Sequence, residues 1–173
     1  LSGAKIAFFD NGLFVDTVGG SGSESDNLQA TLSSQGHIVS TFTDYTATGL
    51  ATALSGKQVL VIPELETGNL SSVLTTQAKD VIRDFISDGG SLIIGGMNGS
   101  NDTLLLNDLF GFSLTNNNTG VTNLTGAATG TTFADDPATL PSNNGTYSLN
   151  TSSLPAGSKS IFEAGGVTSV VVM

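Results

Sequence analysis

The sequence has 173 residues, 38% of them hydrophobic, which is enough to bury one sizeable core and predicts a single domain. Its 15 acidic residues against 5 Lys and Arg give a net charge of −10, which argues against nucleic acid and anionic membrane surfaces as partners. The absence of cysteine excludes disulfides, thiolate metal sites and a cysteine nucleophile, and no apolar run approaches the roughly 20 residues of a membrane span.

Four short apolar runs lie in the N-terminal part of the chain and have the composition of buried strands. The first is followed by Asp10-Asn11-Gly12 and the third by Pro63, residues that typically end a strand. The predicted strands are Lys5–Phe9, residues 37–42, residues 58–62 and Ser91–Ile94.

Helical patterns separate these runs. Ser23 with Asp26 forms a capping box at the start of the first helix, and paired glycines end the third. Strands that alternate with helices form right-handed βαβ units, so the pattern predicts an α/β fold with a doubly wound parallel sheet. The predicted helices lie between Ser23 and Gly36, at residues 46–54, between Thr75 or Thr76 and Gly89, and at residues 102–110.

The pattern changes after residue 112, where Thr, Asn and Gly dominate. We therefore predict a parallel α/β core over residues 1–112 and a β-rich extension over residues 113–173 that packs on the same domain. Within the extension, residues 116–130 are polar and small, which favours an exposed loop over a specific interaction arm. Short apolar patches predict strands at residues 130–133, 147–149, 160–162 and 169–172.

The segments VLVIPE, QAKDVIRDFISDGGSLIIGG and LLNDLFGF resemble the class I glutamine amidotransferase-like superfamily over roughly residues 4–112. The resemblance implies a flavodoxin-like sheet. It also implies a Gly-x-Cys-x-Gly turn after the fourth strand that presents the nucleophile, and a His closely followed by Glu on a later strand.

This sequence departs from the superfamily at its catalytic residues. The turn here reads Gly95-Gly96-Met97-Asn98-Gly99, and the thioether at the nucleophile position cannot form an acyl-enzyme. The only histidine, His37, opens the second predicted strand and lacks the required Glu. We therefore predict a catalytically degenerate domain that is not an enzyme.

The carboxyl ends of parallel strands meet at one edge of the sheet, where ligands of doubly wound folds bind. We predict a ligand crevice there, lined by Asp10, Asn11, Glu64, Met97 and Asn98. Carboxylates are the ligands that Ca²⁺ prefers, so the same edge could hold this ion. Scattered exposed acids are the simpler interpretation for so acidic a chain. The predicted metal ligands are Asp10, Asp16, Glu64 and Glu66.

A carboxylate pair at this edge could instead hydrolyse a glycosidic bond, which needs two acids at a defined separation. Asp10 and Glu64 are the candidates. The simpler interpretation is favoured, because Asp10 starts a turn and Glu64 follows a strand-ending proline.

Low Lys and abundant Ser, Thr, Asn and Gly are typical of secreted bacterial surface proteins, so we predict an extracellular or cell-surface location. The predicted function is a non-catalytic structural or interaction module that binds copies of itself or other surface proteins. Apolar segments near the C-terminus are expected to add to a neighbour's sheet edge. The alternative is a carbohydrate-binding or carbohydrate-acting domain that uses the crevice carboxylates on a glycan.

Overall fold

The computed structural model describes residues 3–19, 24–118, 120–142 and 147–173. The chain divides into two compact units, Leu1–Gly95 and Gly96–Met173, which are treated separately below. The first contains a parallel sheet flanked by helices, so the prediction of an α/β fold is confirmed at that level. No described helix combines the length and the apolar character needed to cross a membrane.

The sheet of the first unit has four strands in the order β2-β1-β3-β4, and each neighbouring pair is parallel. All four lie within one residue of their predicted positions, because a buried parallel strand needs a continuous apolar run. The strands are β1 (Lys5–Phe9), β2 (Ile38–Phe42), β3 (Val59–Ile62) and β4 (Ser91–Ile94).

Three helices connect these strands: α1 (Glu24–Ser34), α2 (Ala47–Leu54) and α3 (Thr76–Ser87). The hydroxyl of Thr75 caps α3 by accepting from the Ala78 N–H at 3.2 Å, and Thr46 caps α2 in the same way. The predicted capping residue Ser23 lies outside the described residues.

Both faces of the parallel sheet are buried at its centre. Phe8 and Val61 project from one face with Ile6, and Leu28 and Leu32 of α1 pack against them. On the other face, the alternating residues of the central strands are also fully buried, as are apolar side chains of α2 and α3. Those residues are Ala7, Phe9, Leu60, Ile62, Leu50, Leu54, Ala78 and Ile82.

The second unit begins with one helix, α4 (Asn101–Phe110), which ends at Gly111 in the left-handed conformation with φ 68°. Six described strands follow and form an antiparallel sheet in the order β5-β8-β10-β9-β6-β7. Ala128, Ile161 and Phe162 form its buried apolar cluster. The strands are β5 (Asn116–Asn118), β6 (Thr122–Leu124), β7 (Thr139–Leu140), β8 (Tyr147–Asn150), β9 (Lys159–Ala164) and β10 (Val167–Val172).

Two predictions for this region are wrong. Residues 130–133 form turns instead of a strand, and Phe133 packs on the apolar cluster from there. Residues 116–130 are not a continuous loop, because they contain β5 and β6, and Thr122 is only 1% exposed. The C-terminal strand β10 pairs with β9 through Val172 and with β8 at Val167 and Thr168, and the pairing of this segment with a neighbour's sheet stays a prediction.

Candidate functional site

The carboxyl edge of the parallel sheet has a topological switch point between β1 and β3. From β1 the chain passes to β2 on one side, and β3 then lies on the other side of β1. Asp10 directly follows β1, and Pro63-Glu64-Leu65-Glu66 directly follows β3. Loops leaving neighbouring strands in opposite directions open a crevice at such a point, which is where doubly wound folds bind ligands.

Three glutamates converge at this edge. Glu24, Glu64 and Glu66 each place a carboxylate oxygen within 4.8 Å of the others. Glu24 and Glu66 are exposed and Glu64 is half-buried. Glu24 is the first residue of α1, so the partial positive charge of the helix N-terminus offsets part of the repulsion among these groups.

The proximity of these acids alters the ionisation of Glu24. Partial desolvation raises the pKa of Glu24, and a hydrogen bond with the Glu66 carboxyl raises it further, as do the charges of Glu66 and Asp16. Two carboxyl groups can share a hydrogen bond only when one holds a proton, so the group favours protonation. A hard cation would relieve the same repulsion through carboxylate oxygens.

The structure brings together only part of the predicted metal set. Glu64 and Glu66 belong to the cluster of three, whereas Asp10 and Asp16 do not. Asp16 acts on Glu24 through its charge, and Asp10 accepts a long hydrogen bond of 3.5 Å from the Ser25 hydroxyl in the first turn of α1. Both aspartates therefore lie near the cluster without completing it.

Asn11, predicted to line the crevice, shapes the loop after β1. Its side-chain amide donates to the Thr43 carbonyl at 2.7 Å, and its oxygen accepts from the Leu13 N–H at 2.9 Å. The second bond forms a local turn, and the first joins this loop to the residue after β2. The other predicted crevice residues, Met97 and Asn98, belong to the second unit.

Glu24 is the site residue that the sequence analysis missed. It stands one residue after Ser23, the predicted cap, and the loop before it gives no indication of which acid the helix start brings to the edge. The position of Glu24 at the start of a predicted helix could have identified it, because a helix that follows a parallel strand begins at the carboxyl edge of the sheet.

No family model, characterised protein or solved structure matches the chain. The resemblance to class I glutamine amidotransferases therefore rests on the residues that suggested it.

The turn after β4 buries the side chain at the predicted nucleophile position. Met97 is 7% exposed, and its carbonyl accepts from the Gly99 N–H at 2.9 Å and from the Tyr147 N–H at 3.2 Å. Asn116 donates to the Gly99 carbonyl. Gly99 has φ +149°, and a Cβ there would lie 2.8 Å from the Met97 methyl group. The turn therefore holds a thioether inward instead of presenting a nucleophile.

Asp102 is an isolated buried carboxyl in the first turn of α4. It is 4% exposed, and its Oδ1 has no hydrogen-bond partner among the described residues. Burial raises the pKa of Asp102 to about 6, although backbone hydrogen bonds from Thr103, Asp102 and Met97 oppose the shift. The sequence predicted a helix that starts at Asp102, and α4 begins one residue earlier, at Asn101.

Proposed function

We propose that this chain is a non-catalytic interaction module of a bacterial surface or secreted protein. The observation that carries the proposal is the inward-facing Met97 at the position where the resembling family has its nucleophile. A buried thioether has neither a proton to lose nor access to a substrate. The Lys-poor, Gly-rich composition supports the extracellular part of the proposal.

The positions of other groups support the same conclusion. The strand order β2-β1-β3-β4 agrees with the first four strands of a flavodoxin-like sheet, the fold that the resemblance implies. The only histidine, His37, precedes β2 and so lies at the amino edge of the sheet. Glu64 follows β3 and lies at the carboxyl edge. No imidazole is therefore available as an acid or base at the switch point.

The spacing of the carboxylate cluster suits a bound cation. The oxygens of Glu24, Glu64 and Glu66 lie within 4.8 Å, a spacing at which one ion can bind several carboxylates. We therefore propose Ca²⁺ as the ligand of this edge of the module.

Calorimetric titration tests the cation directly. We expect Ca²⁺ to bind the wild-type chain and Glu66→Gln to weaken binding roughly tenfold or more, because an anionic ligand is lost. Binding should weaken at acidic pH, since the raised pKa of Glu24 makes protons compete sooner. Asp135→Asn, in an exposed turn of the second unit, is the charge-matched control. Equal affinities for the two variants would remove the cation from the proposal.

A hydrolysis assay tests the absence of catalysis. We expect chromogenic glycosides and activated esters and amides to react with the wild-type chain no faster than in buffer. The proposal would be contradicted by turnover that Glu24→Gln abolishes and Asp135→Asn preserves, because the carboxylate cluster would then act on substrate.

A further inference from the structure

The chain contains three Asn-Gly dipeptides, and the structure describes two of them, Asn11-Gly12 and Asn98-Gly99. The third, Asn144-Gly145, lies outside the described residues. An Asn followed by Gly loses its side-chain amide more readily than other Asn residues, because glycine has no Cβ to hinder attack by its own backbone nitrogen. Hydrogen bonds that hold the Asn side chain in a folded protein slow this reaction.

The two described dipeptides differ in how the fold holds the Asn side chain. Asn98 is exposed, and its side chain makes no hydrogen bond to any described residue. Asn11 is half-buried, its amide donates to the Thr43 carbonyl at 2.7 Å, and its oxygen accepts from the Leu13 N–H at 2.9 Å. The carbon under attack is therefore held by two bonds in Asn11 and is unrestrained in Asn98.

The turn after β4 requires the glycine of the reactive dipeptide. Gly99 has φ +149°, and a Cβ there would lie 2.8 Å from the Met97 methyl group. The Gly99 N–H donates to the Met97 carbonyl at 2.9 Å. A hydrogen bond that spans only three residues is bent and therefore weak, so it restrains the attacking nitrogen little. The fold thus keeps Gly99 in place beside an unrestrained Asn98.

We propose that Asn98-Gly99 is a site of spontaneous covalent modification, at which Asn98 becomes aspartate or isoaspartate. The Gly99 nitrogen bonds to Cγ of Asn98, the Cγ–Nδ2 bond breaks, and the side-chain nitrogen leaves as ammonia with the proton of the Gly99 nitrogen. Water then opens the five-membered imide at one of its two carbonyls, which gives aspartate or isoaspartate. The reaction consumes only water and involves no change of oxidation state.

The product alters contacts that the turn makes with β5 and β8. The Met97 carbonyl accepts from the Tyr147 N–H at 3.2 Å, and Asn116 donates to the Gly99 carbonyl. Isoaspartate adds one carbon to the main chain between these two carbonyls, so the two bonds cannot both keep their present geometry. Modification therefore loosens the attachment of this turn to the antiparallel sheet of the second unit.

Incubation of the folded chain at neutral and mildly alkaline pH, followed by fragment-ion mass spectrometry, tests the site. Fragment ions assign the mass gain of deamidation to each Asn separately. We expect Asn98 to react roughly tenfold faster than Asn11 or more, because two hydrogen bonds must open before Asn11 reacts. The rate should increase with pH, since the attacking nitrogen must lose its proton. In concentrated urea, which unfolds the chain, the two residues should react at similar rates.

Asn98→Gln is the control variant, because glutamine must close a larger and less favourable ring. It should show no mass gain in this turn, and it should unfold at the same urea concentration as wild type, since the Asn98 side chain has no hydrogen bond to lose. In the modified fraction of the wild-type chain, the amide of Tyr147 should exchange faster with solvent.

Three results would overturn the proposal. The first is an equal rate of modification at Asn11 and Asn98 in the folded chain. The second is the same preference for Asn98 in urea, which would trace it to the neighbouring sequence and not to the fold. The third is a Tyr147 amide that stays equally protected after Asn98 has become isoaspartate, since the turn would then hold β8 unchanged.

Discussion

Asp102→Asn is expected to raise the free energy of unfolding at pH 7 by up to about 3 kcal/mol. The buried carboxylate is the cause, since its pKa rises from a usual 3.8 to about 6 on folding. Asn keeps one oxygen for the backbone donors of the first turn of α4 and carries no charge. Urea unfolding of both chains across the acidic and neutral range measures the difference.

The pH dependence fixes the sign of this effect. Because the folded state holds the proton of Asp102 more tightly, the group favours folding fully below pH 3.8. That contribution is lost as the pH rises through about 6. The wild-type chain should lose stability over this interval relative to Asp102→Asn, and Asp135→Asn should behave as wild type. Parallel pH profiles for all three chains would contradict the account.

Phe8→Ala is expected to lower the free energy of unfolding of the first unit by about 3 to 5 kcal/mol. Phe8 is fully buried at 0% exposure, and its ring lies in the cluster against which Leu28 and Leu32 of α1 pack. Ala leaves a cavity at the centre of the sheet. Chemical denaturation, with amide exchange of β1 as the local probe, measures the loss.

The control for this variant is Ile38→Ala, because Ile38 is 54% exposed on the edge strand β2. We expect it to cost less than about 1 kcal/mol. Similar losses of unfolding free energy for the two variants would contradict the packing of α1 on the cluster that contains Phe8.

The parallel sheet was predictable because its sequence signal is local. A strand buried on both faces requires consecutive apolar residues, as in Val59–Ile62, and Pro63 marks its end. The cap Thr75 and the glycines after α3 similarly fix the helix boundaries. The local residue pattern was therefore sufficient to predict the strands and helices of the first unit.

The antiparallel sheet was harder to predict because its short strands depend on their neighbours. Asn116–Asn118 has no strand composition, and it becomes β5 only by pairing with Ser148 and adjacent residues of β8. Residues 130–133 gave the opposite error, since Phe133 reaches the apolar cluster from a turn. Local composition could not reveal either arrangement.

The position of the candidate site could be predicted from the sequence, but not all of its residues could. Glu64 follows β3 directly, so its place at the carboxyl edge follows from strand direction. Glu24 depends on the path of the loop between β1 and α1, which composition does not determine.

The most direct test of the central claim, that the chain is an interaction module and not an enzyme, is an experimental structure determined with Ca²⁺ present. The account predicts that Glu24, Glu64 and Glu66 bind the ion and that Met97 is buried. An acid-lined crevice that holds a sugar between separated carboxylates would contradict it.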